Sequence, residues 1–119
     1  MIAPNYTYQA RGVKTIDGDT IDVDVDLGFH LTARLRLRLN RINTYELTSS
    51  VAGERELARQ AKGFVASVID GTTLMITTQK ADAFGRYLAD VWYMTAAGEQ
   101  INLNDTLIDK GLATLYARK

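Results

Sequence analysis

Hydrophobic and polar residues alternate strictly along two neighbouring stretches of the chain, residues 21–27 and 31–39. Alternation with a period of two is typical of strands that bury one face. The polar positions of the first stretch are aspartates and those of the second are mainly arginines: Asp22, Asp24, Asp26, Arg34, Arg36 and Arg38. Gly28 lies in the short connection between them. The pattern predicts a β-hairpin whose opposite charges pair across the two strands.

The spacing becomes helical in the middle of the chain. Apolar residues there recur every three or four positions on one face: Leu57, Ala61, Phe64, Val65 and Val68. Gly71 follows the last turn and is placed to end the helix. Residues 6–16, 72–78 and 87–93 are predicted strands. Asn104 is placed to cap a short helix that runs through Lys110. This order of elements predicts an α+β domain: a five-stranded OB-type Greek-key β-barrel with one long helix between strands and a short C-terminal helix.

The composition narrows the classes of function. The 119 residues suit a single domain, 1–119, without an internal repeat or linker. The absence of cysteine excludes a disulfide scaffold and a thiolate metal site. No apolar run is long enough to span a membrane, so we expect no membrane partner. The first residues do not resemble a signal peptide, and we expect a cytoplasmic protein unless a signal was removed. With 14 basic and 14 acidic residues, the chain does not bind polyanions by bulk charge, although local patches can.

Three segments contain residues suited to phosphate chemistry. The first, Asp17-Gly18-Asp19-Thr20, is a typical hairpin turn, and taken alone that interpretation is preferred. Its second interpretation is that Asp19 supplies an oxygen ligand to a hard cation such as Ca²⁺.

The second segment runs from Arg38 to Glu46. Cross-strand pairing explains Arg34 and Arg36, but Arg38 lies closest to the polar loop that holds Asn43 and Glu46. In a purely structural interpretation, Arg38 is a third arginine paired with aspartates on the facing strand, and the loop is an ordinary solvated loop.

The third segment surrounds Gly85-Arg86. In a purely structural interpretation, this segment is a glycine turn before a strand. Its functional interpretation is that the turn aims Arg86 at an anion, since a guanidinium binds phosphate in bidentate fashion.

Together the three segments resemble the staphylococcal nuclease-like family. That family has Asp-Gly-Asp-Thr, an arginine followed by Asp-Thr-Pro-Glu, and Asp-x-Tyr-Gly-Arg-x-Leu-Ala, in this order. A fourth similar segment, residues 104–113, ends in Gly-Leu-Ala, and its apolar spacing indicates a structural role. The match covers residues 13–113, and four motifs in register are specific where each alone is weak.

The resemblance implies a Ca²⁺-dependent nuclease that hydrolyses phosphodiester bonds of DNA and/or RNA, leaving a 5′-hydroxyl and a 3′-phosphate. The implied metal ligands are Asp19, Asn43 and the main-chain carbonyl of Thr44. The implied catalytic residues are Arg38 and Arg86, which grip the phosphate, and Glu46, which is held near the attacking water. Phe84 matches an aromatic residue beside the nucleotide. We expect the domain to act as a monomer.

Two positions depart from the family pattern. Asn43 replaces the family carboxylate and removes one negative charge, and Tyr45 replaces the proline that restrains the preceding residue. Both departures favour an alternative function, a non-catalytic OB-type module that binds single-stranded nucleic acid or a protein. A structural domain with a decayed site is a third hypothesis. Retention of Asp19, Arg38, Glu46 and Arg86 favours the nuclease.

Overall fold

The computed structural model describes residues 4–81 and 85–116, with the side chains of residues 80 and 81 excepted. The elements in chain order are β1 (Thr7–Asp17), β2 (Thr20–Gly28), β3 (Leu31–Leu39), β4 (Ile42–Thr44), α1 (Ala52–Ile69), β5 (Thr73–Ala81), β6 (Tyr87–Met94), β7 (Gln100–Asn102), α2 (Leu103–Asp109) and β8 (Ala113–Leu115). Neither helix in the described ranges combines the length and hydropathy needed to cross a membrane.

Five strands close into a barrel. The strand order is β3-β2-β1-β5-β6, and a parallel pairing of β3 with β6 joins the two ends of the sheet. The short β7 extends the sheet beyond β6, and β4 pairs with β8 in a separate two-stranded sheet. The prediction of a five-stranded OB-type barrel with two helices is therefore confirmed, whereas β4, β7 and β8 were not predicted because each has only three residues.

The β2–β3 hairpin forms as predicted. Asp22 pairs with Arg36 and Asp24 with Arg34, directly opposite each other in the register, and each arginine makes two hydrogen bonds to its aspartate. The inward residues of the central part of the hairpin are fully buried: Ile21, Val23, Val25, Leu37 and Leu39. The alternation continues beyond the buried part of the hairpin, since Leu27 is 44% and Leu31 59% exposed. The hairpin extends past the barrel wall there, so alternation alone no longer implies burial.

Helix α1 begins at Ala52, five residues before Leu57, the first apolar residue of the predicted helical spacing. It ends at Ile69, next to the last of those apolar residues, Val68. Its chain leaves the helix at Asp70, and Gly71 has the left-handed φ of 73° that favours glycine. The helix face that packs on the barrel is buried: Ala58, Ala61, Val65 and Ile69.

Two glycines allow this helix to lie close to strand β1. A Cβ on Gly12 would lie 1.9 Å from the carbonyl oxygen of Ile69. A Cβ on Gly18 would lie 2.8 Å from the Cβ of Ala61 and 3.0 Å from the side chain of Thr44. These glycines are needed for packing, and Gly18 in particular brings the β1–β2 turn, α1 and β4 together at one end of the barrel.

The cap of α2 was wrongly predicted. Asn102, rather than Asn104, precedes the helix, and its side-chain oxygen accepts a hydrogen bond of 2.8 Å from the Asp105 amide. Asn104 is fully buried instead. Its amide group donates to the carbonyls of Asn40 and Ala89 and accepts from the Val91 amide. The side chain thus joins α2 to the two strand ends where the barrel closes.

Candidate active site

One cavity of about 890 Å³ lies at the end of the barrel where the β1–β2 turn, β4 and the start of α1 meet. Six of the seven predicted site residues line it: Asp19, Arg38, Asn43, Thr44, Glu46 and Arg86. The seventh, Phe84, lies outside the described residues. The cavity wall also includes residues that the sequence did not single out as functional: Asp17, Tyr45, Glu54 and Tyr116.

The β1–β2 turn presents two aspartates to the cavity. The Asp19 amide donates a hydrogen bond of 3.1 Å to Oδ1 of Asp17, which fixes the turn. The Asp19 carboxylate accepts one from the Thr20 hydroxyl at 3.3 Å and one from the Thr44 amide at 3.2 Å. Asp19 is therefore held by both the turn and strand β4. The repeated aspartate of Asp17-Gly18-Asp19 was the signal that could have identified Asp17.

The two carboxyl groups differ in acidity. Burial, followed by hydrogen bonding with Asp19 and its negative charge, raises the pKa of Asp17 from 3.8 to about 6. Burial alone would also raise the pKa of Asp19, but the hydrogen bond with Asp17, the charge of Arg38 and the donors of Thr44 lower it overall. The site therefore keeps Asp19 ionised and binds a proton at Asp17 unusually tightly.

Arg38 is buried at the wall of the cavity, with 8% of its surface exposed. Its Nη1 donates to the Leu39 carbonyl at 2.9 Å and lies 3.4 Å from Oδ2 of Asp19. Its Nη2 donates to Oδ1 of Asn43. The arrangement separates Arg38 from Arg34 and Arg36, which pair with aspartates on the hairpin as predicted. Arg38 is thus pre-positioned at the cavity.

Arg86 lines the same cavity and belongs to the β6 side of the β3–β6 pairing that closes the barrel. It precedes β6, whose parallel pairing with β3 places Tyr87 opposite Leu37 and Leu88 opposite Arg38. Its Nη1 lies 3.3 Å from the Thr20 hydroxyl, and the side chain is half-buried. Gly85 has a φ of 78°, as the predicted glycine turn requires. The pairing brings together two arginines 48 positions apart in the sequence.

Glu46 lies in the segment that joins β4 to α1, and its side chain is exposed. Its neighbour Tyr45 is half-buried and also lines the cavity. Asn43 and Thr44 are held by the pairing of β4 with β8, in which Asn43 is opposite Thr114.

The donor set at the cavity consists of oxygen atoms. Carboxylates and an amide are the groups that hard cations such as Ca²⁺ select. Within the described ranges, no three His, Cys, Asp or Glu side chains are grouped closely enough to hold a metal by themselves. Asp17 and Asp19 are held beside each other in the β1–β2 turn, where burial and then the neighbouring Asp19 raise the pKa of Asp17. A cation bound beside the two carboxyl groups would lower the cost of ionising both, so the residues fit such an ion.

Fold and cavity together define a class: an OB-type barrel domain with arginine and carboxylate side chains converging at one end. A family model described as staphylococcal nuclease homologue matches residues 36–119. The chain belongs to the staphylococcal nuclease homologue family.

Three curated relatives illustrate the similarity. An uncharacterised protein from Methanocaldococcus jannaschii is 29% identical over 92% of this chain and 59% of its own length. An uncharacterised endonuclease from Escherichia coli O157:H7 is 26% identical over 89% of this chain and 60% of its own length. Protein ParB from Escherichia coli is 34% identical over 87% of this chain and 55% of its own length. The chain spans less than two thirds of the length of these relatives.

Proposed function

We propose that this domain is a Ca²⁺-dependent nuclease that hydrolyses phosphodiester bonds of DNA and/or RNA as a monomer, leaving a 5′-hydroxyl and a 3′-phosphate. Membership of the nuclease family and the endonuclease name of one relative support the reaction class. The observation that carries the proposal is the convergence of Arg38, Arg86, Glu46 and Asp19 on one cavity from four separate parts of the chain.

The arginines are suited to the charge that develops during phosphodiester hydrolysis. A water oxygen forms a bond to phosphorus, and the bond from phosphorus to the 5′ oxygen breaks. Arg38 and Arg86 bind the non-bridging oxygens, whose negative charge increases in the transition state. The guanidinium of Arg38 is already held in position for this role by its hydrogen bonds to the Leu39 carbonyl and to Asn43.

Glu46 orients the water and accepts its proton. The departing 5′ oxygen takes a proton from solvent and becomes the 5′-hydroxyl, while the phosphate stays on the 3′ oxygen. Asp17 and Asp19, with the Asn43 oxygen, are the side chains that would hold Ca²⁺. When bound, the ion would supply Lewis-acid activation of the phosphate and a template for substrate.

The charge of the cavity supports the need for a cation. Among the described residues that line it, four carry carboxyl groups (Asp17, Asp19, Glu46 and Glu54) and two carry guanidinium groups (Arg38 and Arg86). Even with Asp17 protonated, the cavity is negative and repels a polyanion. A divalent cation beside Asp17 and Asp19 offsets that excess of negative charge, so that the two arginines can bind a phosphate.

The decisive experiment measures degradation of single-stranded and plasmid DNA, and of RNA, in Ca²⁺ and in excess chelator. We expect cleavage in Ca²⁺ only, with products that a 3′-phosphatase converts to 3′-hydroxyl ends. Unchanged cleavage in chelator would contradict the metal dependence, and 5′-phosphate products would contradict the assigned bond.

The alternative is a non-catalytic module that binds nucleic acid. The hydrogen bond from Arg38 to Asn43 favours it, because it engages the Asn43 side-chain oxygen that the nuclease would use as a metal ligand. This alternative predicts that oligonucleotides are bound but remain intact in Ca²⁺, as a gel-shift assay followed by denaturing electrophoresis would show.

A further inference from the structure

The segment between β4 and α1, residues 45–51, forms one side of the cavity; we call it the Glu46 loop. It contains neither helix nor strand, and Glu46 itself is exposed. One backbone hydrogen bond of 3.1 Å, from the Ser49 amide to the Glu46 carbonyl, closes a turn within it. The position of Glu46 therefore depends on what holds Ser49.

Two residues in the first turns of α1, and Val51 just before the helix, hold Ser49 through three contacts. The Ser49 hydroxyl donates to Oε1 of Glu54 at 2.7 Å and accepts from the Val51 amide at 3.2 Å. The Ser49 carbonyl accepts from Nη1 of Arg55 at 2.8 Å. Ser49, Glu54 and Arg55 are each half-buried, so these contacts are partly shielded from competing water. We call these three residues the Ser49 cluster.

Helix stability does not account for the arginine in this cluster. A positive charge near a helix N-terminus is disfavoured by the helix dipole, whereas Glu54 is favoured there. Within the described residues Arg55 makes no ion pair, and its guanidinium is directed at a carbonyl of the loop. Arg55 thus contributes a contact to the Glu46 loop at a position that is unfavourable for the helix itself.

We infer that the Ser49 cluster is a positioning device that holds Glu46 at the cavity for the reaction proposed above. This inference rests on the proposed function and extends it to residues that do not touch the substrate. Helix α1 is anchored to the barrel by Ala58, Ala61, Val65 and Ile69, which are buried. Arg55 and Glu54 therefore connect Ser49 to a helix that is fixed on the barrel. Ser49 in turn donates to the Glu46 carbonyl and so fixes the turn that contains Glu46. A displacement of even about 1 Å at a catalytic group is expected to reduce turnover.

The test compares Arg55→Ala and Ser49→Ala with Arg59→Ala. Arg59 lies one turn further along α1, is exposed and pairs only with Glu56 in the described structure, which makes it a matched control. We expect both cluster variants to lower kcat about 10- to 100-fold with KM nearly unchanged, since misplaced catalytic groups affect the transition state most. Arg55→Lys, which keeps a donor, should restore part of kcat. Arg59→Ala should behave as wild type.

A second readout does not depend on activity. The Ser49 amide donates to the Glu46 carbonyl, so its hydrogen exchange reports on the turn directly. In the two cluster variants this amide should exchange about tenfold faster, the factor that one ordinary hydrogen bond represents. Amides in the barrel strands should exchange as in wild type, which separates a loosened loop from a destabilised fold.

Each outcome decides the inference. Unchanged exchange at Ser49 would show that the cluster does not hold the loop, and faster exchange with unchanged kcat would show that the loop's position does not matter; either overturns it. A wild-type protein without nuclease activity would contradict the proposed function instead, and the exchange experiment would still establish whether the cluster orders Glu46.

Discussion

Arg38 and Asn43 are joined by a hydrogen bond from the guanidinium to the side-chain amide oxygen. The other terminal nitrogen of Arg38 lies 3.4 Å from the carboxylate of Asp19. Because the amide of Asn43 is neutral, it holds Arg38 without cancelling the charge that a phosphate would bind. Asp19 is then the negatively charged partner of Arg38, and the same aspartate is a proposed metal ligand.

The substitution Asn43→Asp should therefore strengthen cation binding. A full negative charge a few ångströms from Ca²⁺ contributes about 1 kcal/mol or more in a partly solvated site, which is roughly tenfold in affinity. Calorimetric titration should give a lower Kd, and half-maximal activity should need less Ca²⁺. Ca²⁺ should also raise the melting temperature more in the variant than in wild type. Equal affinity would show that position 43 serves Arg38 alone, and the binding-module alternative would gain support.

Removing either cavity arginine should impair turnover. We expect Arg38→Ala and Arg86→Ala each to lower kcat by about 10²-fold, the usual effect of losing one transition-state donor. Arg36→Ala is the matched control, because Arg36 is on the same strand but is exposed and paired with Asp22. If Arg36→Ala were as damaging as Arg38→Ala, the site would be wrongly placed.

Asp17 should make stability depend on pH. Its raised pKa, about 6 against 3.8, means that the folded state holds the proton more tightly than the unfolded state. Its favourable contribution is therefore complete below pH 4 and is lost as pH rises through 6. In chelator, Asp17→Asn should melt above wild type at pH 7, on the order of 5 °C after allowance for partial exposure, and by less at pH 4. A melting-temperature difference that is the same at both pH values would contradict the assigned pKa.

Asn104 should be important for stability rather than chemistry. Substitution by alanine leaves the Val91 amide and the carbonyls of Asn40 and Ala89 without their side-chain partner in the interior, which should cost about 3 kcal/mol or more in the free energy of unfolding. Asn102→Ala removes a helix cap and should cost about 1 kcal/mol. Urea denaturation of the two variants measures both values, and a smaller loss for Asn104→Ala than for Asn102→Ala would refute the assignment.

Local patterns were enough to predict the main elements. The alternation that produces β2 and β3 depends only on which face is apolar, and a one-residue shift would expose every buried side chain. The same reasoning predicted that aspartates and arginines pair across the hairpin, and the observed register makes these pairs Asp22–Arg36 and Asp24–Arg34. The motifs also identified six of the residues that line the cavity. Asp17 was among those missed, since an Asp-Gly turn explains it without any function.

Only the tertiary structure could decide how those residues meet. The parallel pairing of β3 with β6 brings Arg86 to the cavity that Arg38 also lines, and no local pattern specifies that two residues 48 positions apart share a cavity. The side-chain partner of Asn43 is Arg38, at the end of another strand, and the raised pKa of Asp17 depends chiefly on burial, which the local sequence does not specify. The role of Asn104 was likewise hidden, because an asparagine near a helix start has the same local pattern whether it caps the helix or lies buried among strand ends. Local sequence determines the spacing of apolar residues and the positions of the turns. Closure of the barrel determines which groups, distant in sequence, come together in a space of low dielectric constant.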